Sequence, residues 1–318
     1  MAERPIESMA TEVIPYGDDA IAHAARLVAE GQPVAVPTET VYGLAADARN
    51  AEAVARIYAA KGRPDFNPLI VHVPNLAVAE RLGVFGAAEL ALAEVFWPGP
   101  LTLVVPRVHD CPVASIATAG LDTIAIRVPA HRAMRALLET TRAPLAAPSA
   151  NASGRVSPTK AEHVLASLDG RIALVIDDGA TTAGVESTIA RVKDGAVQLL
   201  RPGPVTAAML GAASGLPVIG RQGAGVVAPG MLASHYAPGK PVRLGAADFA
   251  GDEYGIGFGG LSGDYDLSAA GDLTEAAAHL FDALHAGAAS AKPKIAVAAI
   301  PSEGLGAAIN DRLSRAAV

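Results

Sequence analysis

Two cations stand two residues apart in Lys61-Gly62-Arg63-Pro64, where a helical pattern ends, and Asn67-Pro68 follows them. Lysine as a point charge and arginine as a bidentate fork together suit a polyphosphate. Lys61 taken alone also reads as an ordinary helix-end charge, because a helix C-terminus favours cations by about 0.3–1 kcal/mol. Arg63, beyond the glycine, is less easily explained that way. Three further polar segments sit at the ends of apolar runs: Pro37 to Gly43 (PTETVYG), Ala147 to Gly154 (APSANASG), and Gly184 to Ile189 (GVESTI) followed by Arg201-Pro202-Gly203-Pro204. The small residues of 147–154 let a ligand approach the backbone. Ser149 and Asn151, two apart, project to one side of an extended segment, although the composition also fits a simple turn. Two polar residues interrupt apolar strands. His72 lies in Leu69 to Val73 and reads first as a satisfied core histidine. Arg127 lies in Ile124 to Val128 and must be paired or face a cavity, since an isolated buried charge is costly; a bound carboxylate is a fitting partner.

Common motifs are missing. There is no G-x-x-x-x-G-K-[ST], no H-E-x-x-H and no G-x-S-x-G. Gly255 to Gly260 (GIGFGG) matches G-x-G-x-x-G, but GAADFAGDEY before it is a poor strand and no helix opens at its last glycine, so it reads as a loop. The one cysteine, Cys111, excludes an intramolecular disulfide and any multi-cysteine metal site, and no nucleophile signature surrounds it.

These residues must be held by a substantial core. The 318 residues predict about two domains. Hydrophobic residues make up 51% but aromatics only 4%, so the core is built from Ala, Val, Leu and Ile. The balance of 25 Lys+Arg against 32 Asp+Glu, net −7, argues against broad binding to nucleic acid or an anionic membrane. Any anionic ligand must then be met by a few placed cations. The N-terminus lacks a basic segment followed by an apolar one and no run reaches about 18 apolar residues, so a soluble cytoplasmic protein without a membrane association is expected.

Helices are predicted over 18–30, from an Asn50 cap to Gly62, and over 87–96, 130–140 and 159–168. Strands are predicted at 34–36, 69–73, 101–105, 124–128, 144–147 and 172–176. Strands alternating with helices indicate an α/β layer architecture. The runs 187–192 and 197–200 lie close enough to be antiparallel, which makes the sheet mixed. A Gly/Ala/Pro-rich stretch divides the chain into residues 10–212, a linker or lid at 213–240, and a small α/β unit at 241–318, with a helix near 272–286, a strand at 295–300 and a last helix from Gly306.

Seven motifs occur in order: PTETVYGL, KGRP with NPLIVHV, WPGPLTLV, TAGLDTIAIRVP, APSANASG with SPT, GVESTI and LLRPGP. They resemble the YrdC-type threonylcarbamoyl-AMP synthases. The later APGMLASHYAP and EGLGAAINDRLSRAA resemble the two-domain form of that family, with its linker and small Rossmann-like accessory domain. The resemblance implies a twisted mixed sheet with helices, of YrdC/RibB-like type, and a concave basic face. It implies an enzyme, a nucleotidyltransferase that joins L-threonine, bicarbonate or CO2 and ATP into L-threonylcarbamoyl-AMP and releases pyrophosphate. The product then goes to the tRNA threonylcarbamoyl transferase complex. By resemblance Lys61 and Arg63 are catalytic at the phosphates. Asn67, Thr123, Asn151, Thr159, Arg201 and Tyr236 join them around the nucleotide, and Thr40, His72, Arg127, Ser149 and Ser187 form the threonine pocket. Magnesium is expected to arrive with ATP, held by no protein side chain, and no organic cofactor is expected. A double-stranded RNA or tRNA-binding module of the same fold is the alternative, and a weak tRNA contact is compatible with the enzyme; the net charge weighs against RNA binding as the main role.

Overall fold

In a computed structural model, which describes residues 10–64, 66–220 and 236–317, the chain builds a large sheet and a small one. The strands of the large sheet are β1 (Glu12–Pro15), β2 (Val34–Pro37), β3 (Tyr42–Asp47), β4 (Ile70–His72), β5 (Leu101–Pro106), β6 (Thr123–Arg127), β7 (Leu145–Ala146), β8 (Leu174–Asp177), β9 (Thr188–Lys193), β10 (Ala196–Arg201) and β11 (Val218–Gly220). They lie in the order β1-β8-β2-β3-β7-β4-β6-β5-β9-β10-β11. The pairs β2–β3, β3–β7, β7–β4, β6–β5 and β9–β10 are antiparallel, and β1–β8, β8–β2, β4–β6, β5–β9 and β10–β11 parallel. The sheet is therefore mixed, as the sequence predicts.

Around it pack α1 (Asp18–Ala29), α2 (Ala51–Lys61), α3 (Leu76–Ala79), α4 (Ala87–Phe96), α5 (Arg132–Thr141), α6 (Ala161–Leu168) and α7 (Ala207–Ser214). One face of the sheet is buried beneath Val54, Ile57, Leu92, Val164 and Leu210, from α2, α4, α6 and α7. On the other face Ile21, Ala24 and Val28 of α1 and Met134, Leu137 and Leu138 of α5 cover β2, β3, β7 and β8. Each large aliphatic side chain so buried contributes about 1.5–3 kcal/mol. Beyond β7 this second layer gives way to a small cluster, Ile70, Val104, Ala125, Ile189 and Leu200, on β4, β5, β6, β9 and β10. The functional residues stand on that part of the sheet.

Three readings change. The polar loop at 37–43 shortens to residues 38–41, because Pro37 pairs with Tyr42 and Val36 with Gly43 across a β2–β3 hairpin. The linker segment at 213–240 opens with the end of α7 and with β11, which pairs in parallel with β10, so the large sheet extends to Gly220. Residues 221–235 of that segment lie outside the described residues. The third change is in the small unit.

That unit has strands β12 (Val242–Ala246), β13 (Glu253–Gly257), β14 (Tyr265–Asp266) and β15 (Lys294–Ala298) in the all-parallel order β12-β15-β13-β14, with helices α8 (Leu273–Ala289) and α9 (Gly306–Ala316). Leu280, Phe281 and Leu284 of α8 pack with Ile256, Ile295 and Val297 of the strands. The first half of the G-x-G-x-x-G match is thus an inner strand rather than a loop. Its glycines answer to packing: a Cβ on Gly255 would lie 2.6 Å from the Phe249 ring, and one on Gly257 2.2 Å from Asp266 Oδ1. The chain then turns back through Phe258 and Leu261, with no helix opening at Gly260.

The two units share a core, because Val41, Val156, Val185 and Tyr236 join the α8 cluster. Gly184 sits at φ +67° with its α-carbon so close to α8 that a Cβ would lie 2.2 Å from the Ala277 carbonyl oxygen. The glycine that opens GVESTI is the point where α8 meets the large unit.

Candidate active site

The strand register builds the site. His72 on β4 pairs with Arg127 on β6, and Thr102 of β5 comes next, one residue beyond the Leu103–Ile126 pair. Thr102 pairs with Ile189 on β9, and Ile189 with Arg201 on β10. Paired residues of neighbouring strands share a face. A histidine, an arginine, a threonine and a second arginine therefore form one row on the half of the sheet that α1 and α5 leave uncovered. Above the row is an open cavity lined by His72, Arg127 and Arg201 and by Thr38, Thr40, Arg63, Ser149, Glu186, Ser187 and Tyr236.

Around Arg127 the cavity is held by charge. Its side chain is 4% exposed, and Nη2 lies 2.6 Å from Glu39 Oε1. Nη1 donates to Thr40 Oγ1 at 2.9 Å and Nε to the Gly99 carbonyl at 3.2 Å. The sequence required a partner for this buried arginine, and Glu39 is that partner within the chain. Burial opposes ionisation of Glu39, yet the Arg127 guanidinium holds its carboxyl below the usual value. Thr38 orders the hairpin loop: its hydroxyl donates to the Val41 carbonyl at 2.7 Å and accepts from the Thr40 and Val41 amides. His72 Nδ1 is buried with no hydrogen-bond partner among the described residues. Burial first, and then Arg127, pushes the His72 pKa down to about 3, so the ring is neutral and offers one donor or one acceptor.

Arg201 forms the opposite wall. Its Nε and Nη2 donate to the Ser187 carbonyl at 3.0 and 2.8 Å, and Nη2 also to Ser187 Oγ at 3.1 Å. Ser187 Oγ lies 2.8 Å from Thr102 Oγ1. Burial lowers the Arg201 pKa to about 10, which leaves it charged at neutral pH. Tyr236, fully buried at φ +67°, stacks on Phe281 at 5.3 Å and closes one side.

Lys61 and Arg63 part company at Gly62. That glycine is left-handed, φ +58°, and ends α2 while the Arg63 amide bonds back to the Tyr58 carbonyl. Lys61 is turned inward and is buried, and its ammonium donates to the carbonyls of Ser149 (2.5 Å) and Asn151. Burial, with Arg63 nearby, pulls its pKa well down. Lys61 thus ties the 147–154 segment to α2. Arg63 is partly buried, lines the cavity, and is braced by the carbonyls of Asn67 (3.3 Å) and Pro68 (3.0 Å).

Of the remaining sequence candidates, Ser149 lines the cavity, whereas Asn67, Thr123, Asn151 and Thr159 do not. Asn67 is buried with both side-chain amide atoms unpartnered among the described residues. Asn151 donates to the carbonyls of Ala152 and Arg155, both at 2.9 Å, with Oδ1 left over. Thr159 bonds His163 Nδ1 at 3.3 Å. Thr123 opens β6, four residues and about 13 Å along the strand from Arg127. Four contributors escaped the sequence reading: Glu39, Thr102, Glu186 and Arg312. A usable signal existed for the first and third, since both are carboxylates inside quoted motifs. For Thr102 and Arg312 there was none, because strand pairing and contact between the units place them.

Among the described residues no group of three His, Cys, Asp or Glu side chains forms a metal cage, and no helix is long and apolar enough to cross a membrane. The cavity carboxylate Glu186 and the neighbouring Glu39 are both engaged by arginines.

Comparison with known proteins agrees along the whole chain. Residues 26–203 match the Sua5/YciO/YrdC family profile, described as telomere recombination, and residues 205–318 match the threonylcarbamoyl-AMP synthase C-terminal domain. The threonylcarbamoyl-AMP synthase of Bacillus subtilis is 41% identical over 96% of this chain and 95% of its own. That of Pyrococcus abyssi is 40% identical over 92% of each. The crystal structure of P. abyssi Sua5 complexed with L-threonine superposes with a TM-score of 0.86 at 36% identity, over 97% of both chains. Escherichia coli YciO, at 20% identity and a TM-score of 0.54, shares the fold of the large unit.

Proposed function

We propose, for a chain that belongs to the threonylcarbamoyl-AMP synthase family and makes L-threonylcarbamoyl-AMP for tRNA modification, that the reaction takes place in the cavity above β4, β6, β5, β9 and β10. The observation that carries this reading is the register row His72–Arg127–Thr102–Ile189–Arg201, which gathers three of the proposed substrate residues on one uncovered face.

Threonine sits at the β2–β3 hairpin end. Arg127 and Thr40 face its carboxylate, and neutral His72 with Ser149 and Ser187 reads its amine and hydroxyl. ATP extends from Arg201 past Arg63, with Tyr236 against it. Asn67, Asn151, Thr123 and Thr159 lie farther along the nucleotide, where the unpartnered amide of Asn67 and Oδ1 of Asn151 can be satisfied.

Threonine's free amine bonds the carbon of bicarbonate and a C–O bond breaks, giving one water and a carbamate. Its oxygen attacks the α-phosphorus of ATP, a new O–P bond forms, the bond to the β-phosphate oxygen breaks, and pyrophosphate leaves. Both reactants are anionic. Arg63 and Arg201 bring their negative charges together and stabilise the charge growing on pyrophosphate, while Lys61 fixes the backbone on which Ser149 and Asn151 sit. No covalent enzyme intermediate is needed; positioning and electrostatics supply the rate. Magnesium would come with ATP as part of the substrate and help to neutralise the phosphates, which the cations and hydroxyls of the cavity also meet. The product is handed in the cytoplasm to a tRNA threonylcarbamoyl transferase complex.

The test is pyrophosphate release with threonine, bicarbonate and ATP left out in turn. Release that persists without threonine or without bicarbonate overturns the reading.

A further inference from the structure

Arg312 lies on α9, in the last turns of the chain, yet it is completely buried against the large unit. Its Nε donates to Glu186 Oε2 at 2.9 Å, Nη2 to the Glu186 carbonyl at 3.4 Å, and Nη1 to the Pro202 carbonyl at 2.6 Å. Glu186 and Pro202 are the chain neighbours of Ser187 and Arg201, which bond each other across the cavity wall. The guanidinium also stands 5.8 Å from the ring centroid of Tyr236, within cation–π reach. One side chain of the small unit thus pins both strand ends that carry the Arg201 wall and braces the aromatic beside it.

Glu186 explains why a cation is needed there. It lines the cavity, is 6% exposed, and accepts from Ser157 Oγ at 2.5 Å through its other oxygen. Without Arg312, that carboxylate would face the phosphates of ATP with its charge unbalanced on the small-unit side. Nη1 also donates to Oδ2 of its partly exposed chain neighbour Asp311 at 2.9 Å, so that this guanidinium joins a carboxylate of the small unit to the carboxylate of the cavity.

We infer that Arg312 is a positioning residue for ATP: acting through Glu186 and Pro202, it fixes the backbone whose Ser187 carbonyl orients Arg201 toward the phosphates, and so couples the small unit to the active site. The inference rests on the cavity reading above. It also separates the substrates, because ATP is a polyanion whereas threonine is a zwitterion bound nearer the Arg127 end.

The test compares wild type, Arg312→Met, Arg312→Lys and the double variant Arg312→Met/Glu186→Gln. ATP binding is measured by calorimetry and KM by pyrophosphate release. With a charge-assisted contact at stake, Arg312→Met should weaken ATP about 10–100-fold, with the threonine KM changed less than about threefold. The double variant should recover at least about threefold of that loss, because it removes the negative charge that Arg312 balances. Arg312→Lys should be intermediate, and it keeps the test alive if the methionine variant does not fold. A folded Arg312 variant with wild-type ATP affinity overturns the inference alone. So does equal loss toward both substrates with no recovery in the double variant, which would mark a purely structural role. Wild type that neither binds ATP nor releases pyrophosphate overturns the cavity reading, and the inference with it.

Discussion

Arg127→Met is the substitution that most sharply tests the division of the cavity. The arginine is 4% exposed and its charge is shared between Glu39, 2.6 Å away, and the threonine end of the site. Removing it has two costs of different kinds. Glu39, a partly buried carboxylate, loses its ion-pair partner and keeps the Ala130 amide, so the fold is destabilised by less than the about 3–5 kcal/mol of a fully buried broken pair. The threonine carboxylate loses a charge-assisted hydrogen bond, worth about 1.5–3 kcal/mol, and at 1.4 kcal/mol per decade that is about a 10–100-fold rise in the threonine KM. The ATP KM should move less than about threefold, because Arg201 and Arg63 remain. Thermal melts separate the two costs: Arg127→Met/Glu39→Gln should melt well above Arg127→Met alone while keeping the poor threonine KM. Pyrophosphate release titrated with each substrate at saturation of the other is the assay. If both KM values rise equally in a folded variant, or if Glu39→Gln alone reproduces the threonine defect, Arg127 does not hold the carboxylate.

Arg63→Ala should abolish threonine-dependent pyrophosphate release with little change in melting temperature, because the side chain is only partly buried; full activity in the folded variant would remove it from the phosphates. Lys61→Met should lose activity and stability together, by about 1–3 kcal/mol in denaturant titration, since it unties the carbonyls of Ser149 and Asn151. Gly184→Ala combines a left-handed backbone with a Cβ 2.2 Å from a carbonyl of α8, and calorimetry should show about 1–3 kcal/mol of destabilisation; a neutral change would mean that α8 can withdraw freely. Stability should fall on acidification, because burial lowers the pKa of His72 to about 3 and of His285 to about 4 from an ordinary 6.5. Between pH 6.5 and about 5 both stay neutral in the fold while the unfolded chain binds their protons, so their contribution is full above pH 6.5 and drops by up to about 1.4 kcal/mol per pH unit for each, levelling off as pH falls through each folded pKa. His72→Gln should flatten that slope in urea titrations run from pH 7.5 to 5.

Much of the fold was legible because local rules governed it. Asn50 caps α2 by accepting from the amides of Glu52 and Ala53, and Gly62 ends it left-handed, so both boundaries of that helix were written in residue types. The segment Ala87–Phe96 and the close pair β9–β10 were equally local. The failures were local rules overridden by packing. Glu253–Gly257 has a weak strand composition, yet it is buried between two parallel neighbours, where its glycines let Phe249 and Asp266 approach. The β2–β3 hairpin claimed Tyr42 and Gly43 from an apparent loop because their partners Pro37 and Val36 lie across it.

The sequence by itself determined which residues could do chemistry, that few cations must meet several anions, and which family's motifs are present. Only the tertiary structure decided how those residues stand to one another. Strand alternation sends neighbouring residues to opposite faces, so whether His72, Arg127 and Arg201 share a face depends on the register of four pairings between strands far apart in the chain. Burial then settled their partners. An arginine in an apolar strand must be neutralised, but nothing local says that Glu39 does so for Arg127, or that Arg312, 126 residues further along the chain, does so for Glu186. Such long-range pairings are fixed by the cost of burying charge, which arises only once the sheet and the two units have closed around it.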